Sequence, residues 1–270
     1  MPITVKTFAS LGEAASALQS DRSARFLAGG TLVMRAINEG DLSFSTVVRA
    51  TDRSFVEIRP AGARVTLGAG VTMGQILANR ELAFLHPVAR AIGGPAIRNM
   101  ATVGGNLFAP SPYGDFTVAL LALDATLALQ SGYSGRETPL EEFLANRARN
   151  TSLVASVAFN RPNPDAFRFR KVSRVKPKGI SVLSIAAHLP LKSGRIAGAR
   201  VAYGAMAPAP MRAKSVERAL EGHTLDESGI AAAVAVAAEG TSPATDALAS
   251  AWYRREMVAV HLKRMLTGSP

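Results

Sequence analysis

"MATVGGNLFAPSPYGDF", residues 100–116, sets how the rest of the chain is read. Gly104 and Gly105 sit beside Asn106, Pro110 and Pro112 follow closely, and Asp115 stands where a helical pattern begins. A glycine pair strips two side chains from the backbone, so another group can come closer than a Cβ would allow. Thr102 and Asn106 add a hydroxyl and an amide, and Ser111 and Asp115 follow at distances that can place them around one pocket. Taken singly, each residue has a plainer explanation; Asp115, for example, reads equally as a simple helix cap.

Working upstream, "RFLAGGTLVMRAIN" (25–38) gives an apolar run, a second glycine pair and a helical stretch. The order is strand, Gly turn and helix, with Thr31 placed as N-cap. Such a turn, Ala28-Gly29-Gly30-Thr31, lets backbone N–H groups face an anion with a helix dipole behind them. A plain tight turn accounts for the same residues. The spacing is neither G-x-G-x-x-G nor a Walker loop, so a nicotinamide-type Rossmann site has no support.

The intervening chain alternates strand and helix signals. "STVVRA" (45–50) reads as a β-branched strand, and Val56, Ile58, Val65 and Leu67 alternate about Pro60–Gly62 as in a hairpin. Thr72 opens a helix, "HPVARAIGG" (86–94) is a short helix stopped by glycine, and "DFTVALLALDATLAL" passes from buried helix to strand near Thr126. "SGYSGRETP" (131–139) has turn chemistry, "LEEFLA" reads as a short helix and "SLVASVAF" (152–159) as a strand. "NRPNPDA" (160–166) marks a domain boundary. Beyond it come three strand-like runs, "FRFRKVS", "SVLSIAAHLPL" and "RIAGARVAYGAM", and helices at "AKSVERALEG", "SGIAAAVAVAAEG" and "DALASAWYRREMVAVHLKRML". The fold class is α+β, with domains at 1–162 (subdomains of about 1–52 and 53–162) and 163–270.

Composition narrows the function. The 270 residues are 48% apolar and 19% charged, a globular balance. No window approaches the ~18 apolar residues of a membrane span, and no signal peptide is visible. The expectation is a cytoplasmic protein, or a periplasmic one exported with a signal-bearing partner. There is no cysteine, which excludes disulfides and any iron–sulfur cluster built from this chain. The four histidines are scattered, so no metal site is expected. The net charge of +11 raises nucleic-acid binding. However, the only dense basic run is 168–178, and aromatics make up 6%, a poor supply for base stacking. An anionic cofactor or acidic partner explains the charge as well, so no nucleic acid is expected.

Taken together, "AGGT" (28–31), "IRNMATVGGNLFAPSPYGD" (97–115), "FRKVSR" (169–174), "YGAMAPAPMRAKSVE" (203–217) and "WYRREMVAVHLKRML" (252–266) resemble the FAD-binding medium subunit of the molybdenum hydroxylases. That family contains xanthine dehydrogenase and carbon monoxide dehydrogenase. The resemblance implies a two-subdomain FAD-binding fold of the vanillyl-alcohol oxidase type, followed by a C-terminal domain with a three-stranded sheet and helices. It implies non-covalent FAD, with Ala28, Gly29, Gly30 and Thr31 at the pyrophosphate and adenosine side. Thr102, Gly104, Gly105 and Asn106 would line the diphosphate and ribityl chain, Ser111 would join the cofactor-binding residues, Asp115 would accept ribityl or adenosine hydroxyls, and Lys171 matches a basic position of the family. A solvated strand-edge lysine is the other reading of Lys171.

The same resemblance implies a molybdopterin-bearing large subunit and a small subunit with two [2Fe–2S] clusters, in a (large–medium–small)₂ assembly. Electrons would pass from those clusters through this chain to an external acceptor, and no side chain is assigned as a catalyst. The chain departs from the family pattern at Leu32 after the first loop, at Tyr113, and at Gly179 in the segment after "FRKVSR". Two other readings share the scaffold: a stand-alone NAD(P)H-dependent flavin reductase resembling the cell-wall enolpyruvyl reductases, and a non-catalytic assembly protein.

Overall fold

The computed structural model describes residues 3–110, 114–175 and 179–268, and begins with a three-stranded parallel sheet. β1 (Thr4–Phe8) leads into α1 (Leu11–Ser20), then β2 (Ala24–Phe26), α2 (Val33–Asn38) and β3 (Thr46–Ala50). The order β1-β3-β2 puts β3 in the centre, where Val47 and Val48 are buried on both faces. A capping box between Ser10 and Glu13 starts α1. Its buried face is small, with Gly12, Ala14 and Ala15, which lets α1 lie close to all three strands.

β4 (Ile58–Ala61) and β5 (Arg64–Gly68) form the expected hairpin, turning at Gly62 with φ +59°. α3 (Met73–Ala78) starts with the Thr72–Gln75 capping box, and α4 (His86–Arg90), α5 (Pro95–Arg98) and α6 (Val103–Leu107) follow. After α7 (Asp115–Ala122), β6 (Thr126–Ser131), β7 (Ser134–Pro139), α8 (Leu140–Asn146) and β8 (Leu153–Asn160) complete a five-stranded antiparallel sheet of order β4-β5-β8-β6-β7. The turn expected across 131–139 is confined to its first residues, with Gly132 at φ +55°. Ser134–Pro139 is instead a strand, because an edge strand paired only with β6 tolerates polar residues, Gly135 and a terminal proline.

The C-terminal part builds a second antiparallel sheet from β9 (Phe167–Ser173), β10 (Ser181–His188), β13 (Arg200–Gly204) and β14 (Met211–Arg212), in the order β14-β13-β10-β9. The two-residue strands β11 (Leu191–Lys192) and β12 (Arg195–Ile196) make a separate hairpin, so "RIAGARVAYGAM" divides between two sheets. The three long strands are the expected ones, and β14 adds a short fourth at the edge. α9 (Lys214–Leu220), the five-residue α10 (Ala231–Ala235) and α11 (Ala251–Thr267) follow. Leu183, Ile185, Val201 and Tyr203 form one core with Val216, Leu220, Val258 and Leu262 of the helices. The opposite face, at Ser184 and Gly204, receives α7 through Val118.

The chain divides into two compact units. One is Met1–Asn79 with Gly94–Ala109 and Ala125–Asn160; the other is Arg80–Gly93 with Pro110–Asp124 and Arg161–Pro270. α7 belongs to the second unit for a physical reason. All eight of its residues are buried, so it needs cover on every side, and β10 and β13 supply one side of it.

Candidate functional site

The first unit holds both glycine elements, and the fold brings them into contact. A Cβ on Gly29 would sit 1.5 Å from the Met100 carbonyl oxygen, so Gly29 is bare because backbone from the second element presses against it. Gly104 is bare for a similar reason, since its Cβ would meet the Ala69 Cβ at 2.7 Å. Gly30 is needed for conformation, with φ +76°.

The N–H groups of the two elements differ sharply. Thr102, almost fully buried, is the N-cap of α6, and its Oγ1 accepts from Gly105 N at 3.0 Å. Val103 N donates to Val71 O, Gly104 N to Ala69 O and Asn106 N to Thr102 O. The start of α6 is therefore satisfied from within the chain. By contrast, none of the N–H groups of Ala28, Gly29, Gly30 and Thr31 has a hydrogen-bond acceptor among the described residues. The expected N-cap role of Thr31 is not observed. The helix begins two residues later, with Leu32 in the cap position and no side-chain cap, and Met34 N donates to Gly30 O at 2.8 Å. The left-handed turn at Gly30 carries the chain into α2 and leaves Thr31 in the turn itself.

These free N–H groups lie where β2 ends, beside the carboxyl end of β3. In an open parallel sheet, that end is where ligands bind. A crevice of about 230 Å³ opens there, lined by Ala28, Gly29, Arg49, Asn99, Met100 and Thr102, among others. Sequence reasoning brought Ala28, Gly29 and Thr102 to this place and missed Arg49 and Asn99. The signal for Arg49 is a lone charge closing a β-branched strand. Arg147, also missed, donates to Leu107 O at 2.8 Å and Ala109 O at 3.2 Å, holding the carbonyl end of α6. Burial lowers its pKa below the ordinary arginine value.

Asp115 and Lys171 lie in the second unit and are joined to each other. Lys171 Nζ is 2.9 Å from Asp115 Oδ2, and both side chains are nearly buried. Ser181 Oγ donates to the other carboxylate oxygen at 2.7 Å, and Lys171 also donates to Ala91 O at 2.8 Å. The solvated strand-edge reading of Lys171 is thus overturned: β9 is an edge strand, but this side chain turns inward toward α7 and α4. The simple-cap reading of Asp115 falls as well, since Gly114 holds the cap position and the carboxylate faces Lys171 and Ser181. Ser111 and Tyr113 lie outside the described residues, as do Lys176 and Lys178 of the basic run. No helix among the described residues is long and apolar enough to cross a membrane.

The arrangement in the first unit suits an anion: N–H groups without acceptors among the described residues, with Arg49 and Asn99 lining the same crevice. Comparison with known proteins assigns the same ligand class. The sequence model for the FAD binding domain in molybdopterin dehydrogenase matches residues 2–159. The chain belongs to the FAD-binding medium subunits of the molybdenum hydroxylases. The model for the CO dehydrogenase flavoprotein C-terminal domain matches residues 168–268 of this medium subunit. It is 28% identical over 264 residues to the glyceraldehyde dehydrogenase medium chain of Sulfolobus acidocaldarius, covering 93% of this chain and 92% of that one. It is 26% identical over 275 residues to a putative xanthine dehydrogenase FAD-binding subunit of Escherichia coli, covering 96% and 93%. Its fold matches a chain of reconstituted CO dehydrogenase from Oligotropha carboxidovorans with a TM-score of 0.90 and 25% identity, over 98% of this chain and 97% of that one. It is an oxidoreductase subunit carrying an FAD-binding domain.

Proposed function

We propose that this medium subunit binds FAD non-covalently, with the diphosphate against Ala28–Thr31. The observation that carries this reading is the run of four backbone N–H groups, just past the carboxyl end of β2, that find no acceptor among the described residues. Buried or half-buried N–H groups ordinarily find partners, and a phosphate oxygen is the acceptor such a turn suits. Thr102 holds α6 in place through its cap, and Gly104 and Gly105 let that helix start pack on Ala69 and Thr102 themselves. Asn106, Ser111, Asp115 and Lys171 are assigned to the ribityl chain and sugar hydroxyls. In that role the Asp115–Lys171 pair offers a fixed carboxylate rather than a mobile one.

Bound FAD supplies electron transfer between one- and two-electron partners. The subunit would accept electrons from [2Fe–2S] clusters on a small subunit and pass them to an external acceptor. A molybdopterin-bearing large subunit would oxidise the substrate, in a (large–medium–small)₂ complex in the cytoplasm. The absence of cysteine supports that division, since no thiolate-held cluster can form on this chain. Residues 1–162 form the FAD-binding domain in this reading, and 163–270 the C-terminal domain.

The test is spectroscopic. The full chain purified alone, or after incubation with FAD and desalting, is expected to show absorbance bands near ~375 and ~450 nm, with FAD released on denaturation. A chain that retains no flavin under either condition overturns the reading.

A further inference from the structure

The crevice at the ends of β2 and β3 contains one charge that nothing among the described residues balances. Among the described residues that line it, Arg49 is the only ionisable one. Its side chain is exposed and makes no hydrogen bond or ion pair with any described residue. The acid nearest in sequence, Asp52, is already committed. It accepts from Ser54 Oγ at 2.7 Å, Ser54 N at 3.0 Å and Leu11 N at 3.3 Å, and the charge acting on it is that of Arg59. Among the described residues, therefore, Arg49 has no partner through which it could serve the fold.

Its position gives it another task. β3 is the central strand of the parallel sheet, and Arg49 is its next-to-last residue. Leu27 N donates to Val48 O at 2.8 Å, which ties the start of the Ala28–Thr31 loop directly to the residue before Arg49. Ala28 and Gly29 line the crevice, in a loop whose four N–H groups find no acceptor among the described residues, and the adjoining strand end carries a guanidinium with no partner among them. Neutral N–H groups and a helix turn supply only partial charges, whereas a diphosphate ester carries two full ones. A guanidinium offers paired donors in a planar fork that matches phosphate oxygens.

We infer that Arg49 is a diphosphate-binding residue of this subunit, supplying the full positive charge that the glycine loop lacks. The inference rests on the FAD reading above and concerns how tightly this chain holds that cofactor. Asn99, which lines the same crevice, could assist as a neutral donor.

The experiment titrates the flavin-free full chain with FAD, following flavin fluorescence, for wild type, Arg49→Gln and Arg49→Lys at two salt concentrations. Arg49→Gln is expected to raise Kd about tenfold at about 0.05 M salt, the loss of one charge-assisted contact. At about 0.5 M salt the difference should shrink to about twofold as screening weakens the wild-type contact. Arg49→Lys should recover part of the affinity, because charge is restored without the fork. Equal affinities for wild type and Arg49→Gln at low salt overturn the inference and leave the FAD reading intact. An equal loss at both salt concentrations also overturns it, because that pattern belongs to a change of shape rather than of charge. If wild type itself takes up no FAD at any concentration, the underlying reading falls and this inference with it. Thermal unfolding of the three flavin-free proteins should coincide, since Arg49 has no partner to lose among the described residues.

Discussion

Gly29 concentrates the residue-scale physics of the site. Any side chain there must displace the Met100 carbonyl, which would lie 1.5 Å from its Cβ. Gly29→Ala is therefore expected to cost about 3 kcal/mol, the upper range for forcing a group into a filled space. It should also weaken FAD binding, because the loop must shift. Urea denaturation and FAD titration together check this, and unchanged values in both would refute the packing account. Lys171 offers a second residue-scale test. Removing one partner of a buried ion pair strands the other, so Lys171→Met should destabilise by about 3 kcal/mol, whereas Lys171→Met with Asp115→Asn should recover most of it. A double variant no better than the single one would show that the pair is not what the two residues contribute.

Two helices carry the element-scale predictions. α6 depends on the Thr102 cap, so Thr102→Val should cost about 1 kcal/mol while Thr102→Ser retains most of the stability. α11 is anchored by Arg254, among the largest fully buried side chains of the described residues. Its Nη2 lies 2.9 and 2.8 Å from the two carboxylate oxygens of Asp246, and Nε donates to Val182 O at 2.8 Å. Burial works to raise the Asp246 pKa, but hydrogen bonds, Arg254's foremost, outweigh it and hold the carboxyl below its ordinary value. A carboxylate depressed in the folded state contributes stability above its unfolded pKa, and that contribution is lost as pH falls through the folded value. Because Asp246 is 34% exposed, solvent screens the pair, and Asp246→Asn should cost about 1 kcal/mol near neutral pH, with the gap to wild type narrowing below about pH 4. A gap independent of pH would point to shape rather than charge.

Such elements also show what sequence reveals. The helix starting at Thr72, the 58–68 hairpin and α7 announce themselves through caps, alternation and an unbroken apolar run. β7 does not, because an edge strand needs few apolar residues and its polar text reads as turn. The Asp246–Arg254 anchor and the Asp115–Lys171 pair join residues with no local pattern, and only the tertiary fold discloses them. Gly29 and Gly104 do mark close approach, but what approaches them is the Met100 backbone and Ala69 of this same chain.

At the scale of the whole molecule, the two glycine elements predict different responses to FAD. The amides of Ala28–Thr31 have no acceptors among the described residues and should exchange with solvent quickly in the flavin-free chain, whereas those of Val103–Asn106 are already bonded and should exchange slowly. A ligand binding only the folded state at a hundred times its Kd adds about 2.7 kcal/mol of stability. If FAD engages the loop as proposed, that gain comes with new protection concentrated at 28–31 and little change at 103–106. Hydrogen-exchange mass spectrometry on the full chain with and without FAD separates the cases. Protection spread evenly over both elements would mean that binding tightens the whole unit without using the free N–H groups. Protection at 103–106 alone would mean that α6 opens its internal bonds to reach the cofactor. Only the first pattern, local to Ala28–Thr31, fits a diphosphate held by groups that the fold leaves unpaired.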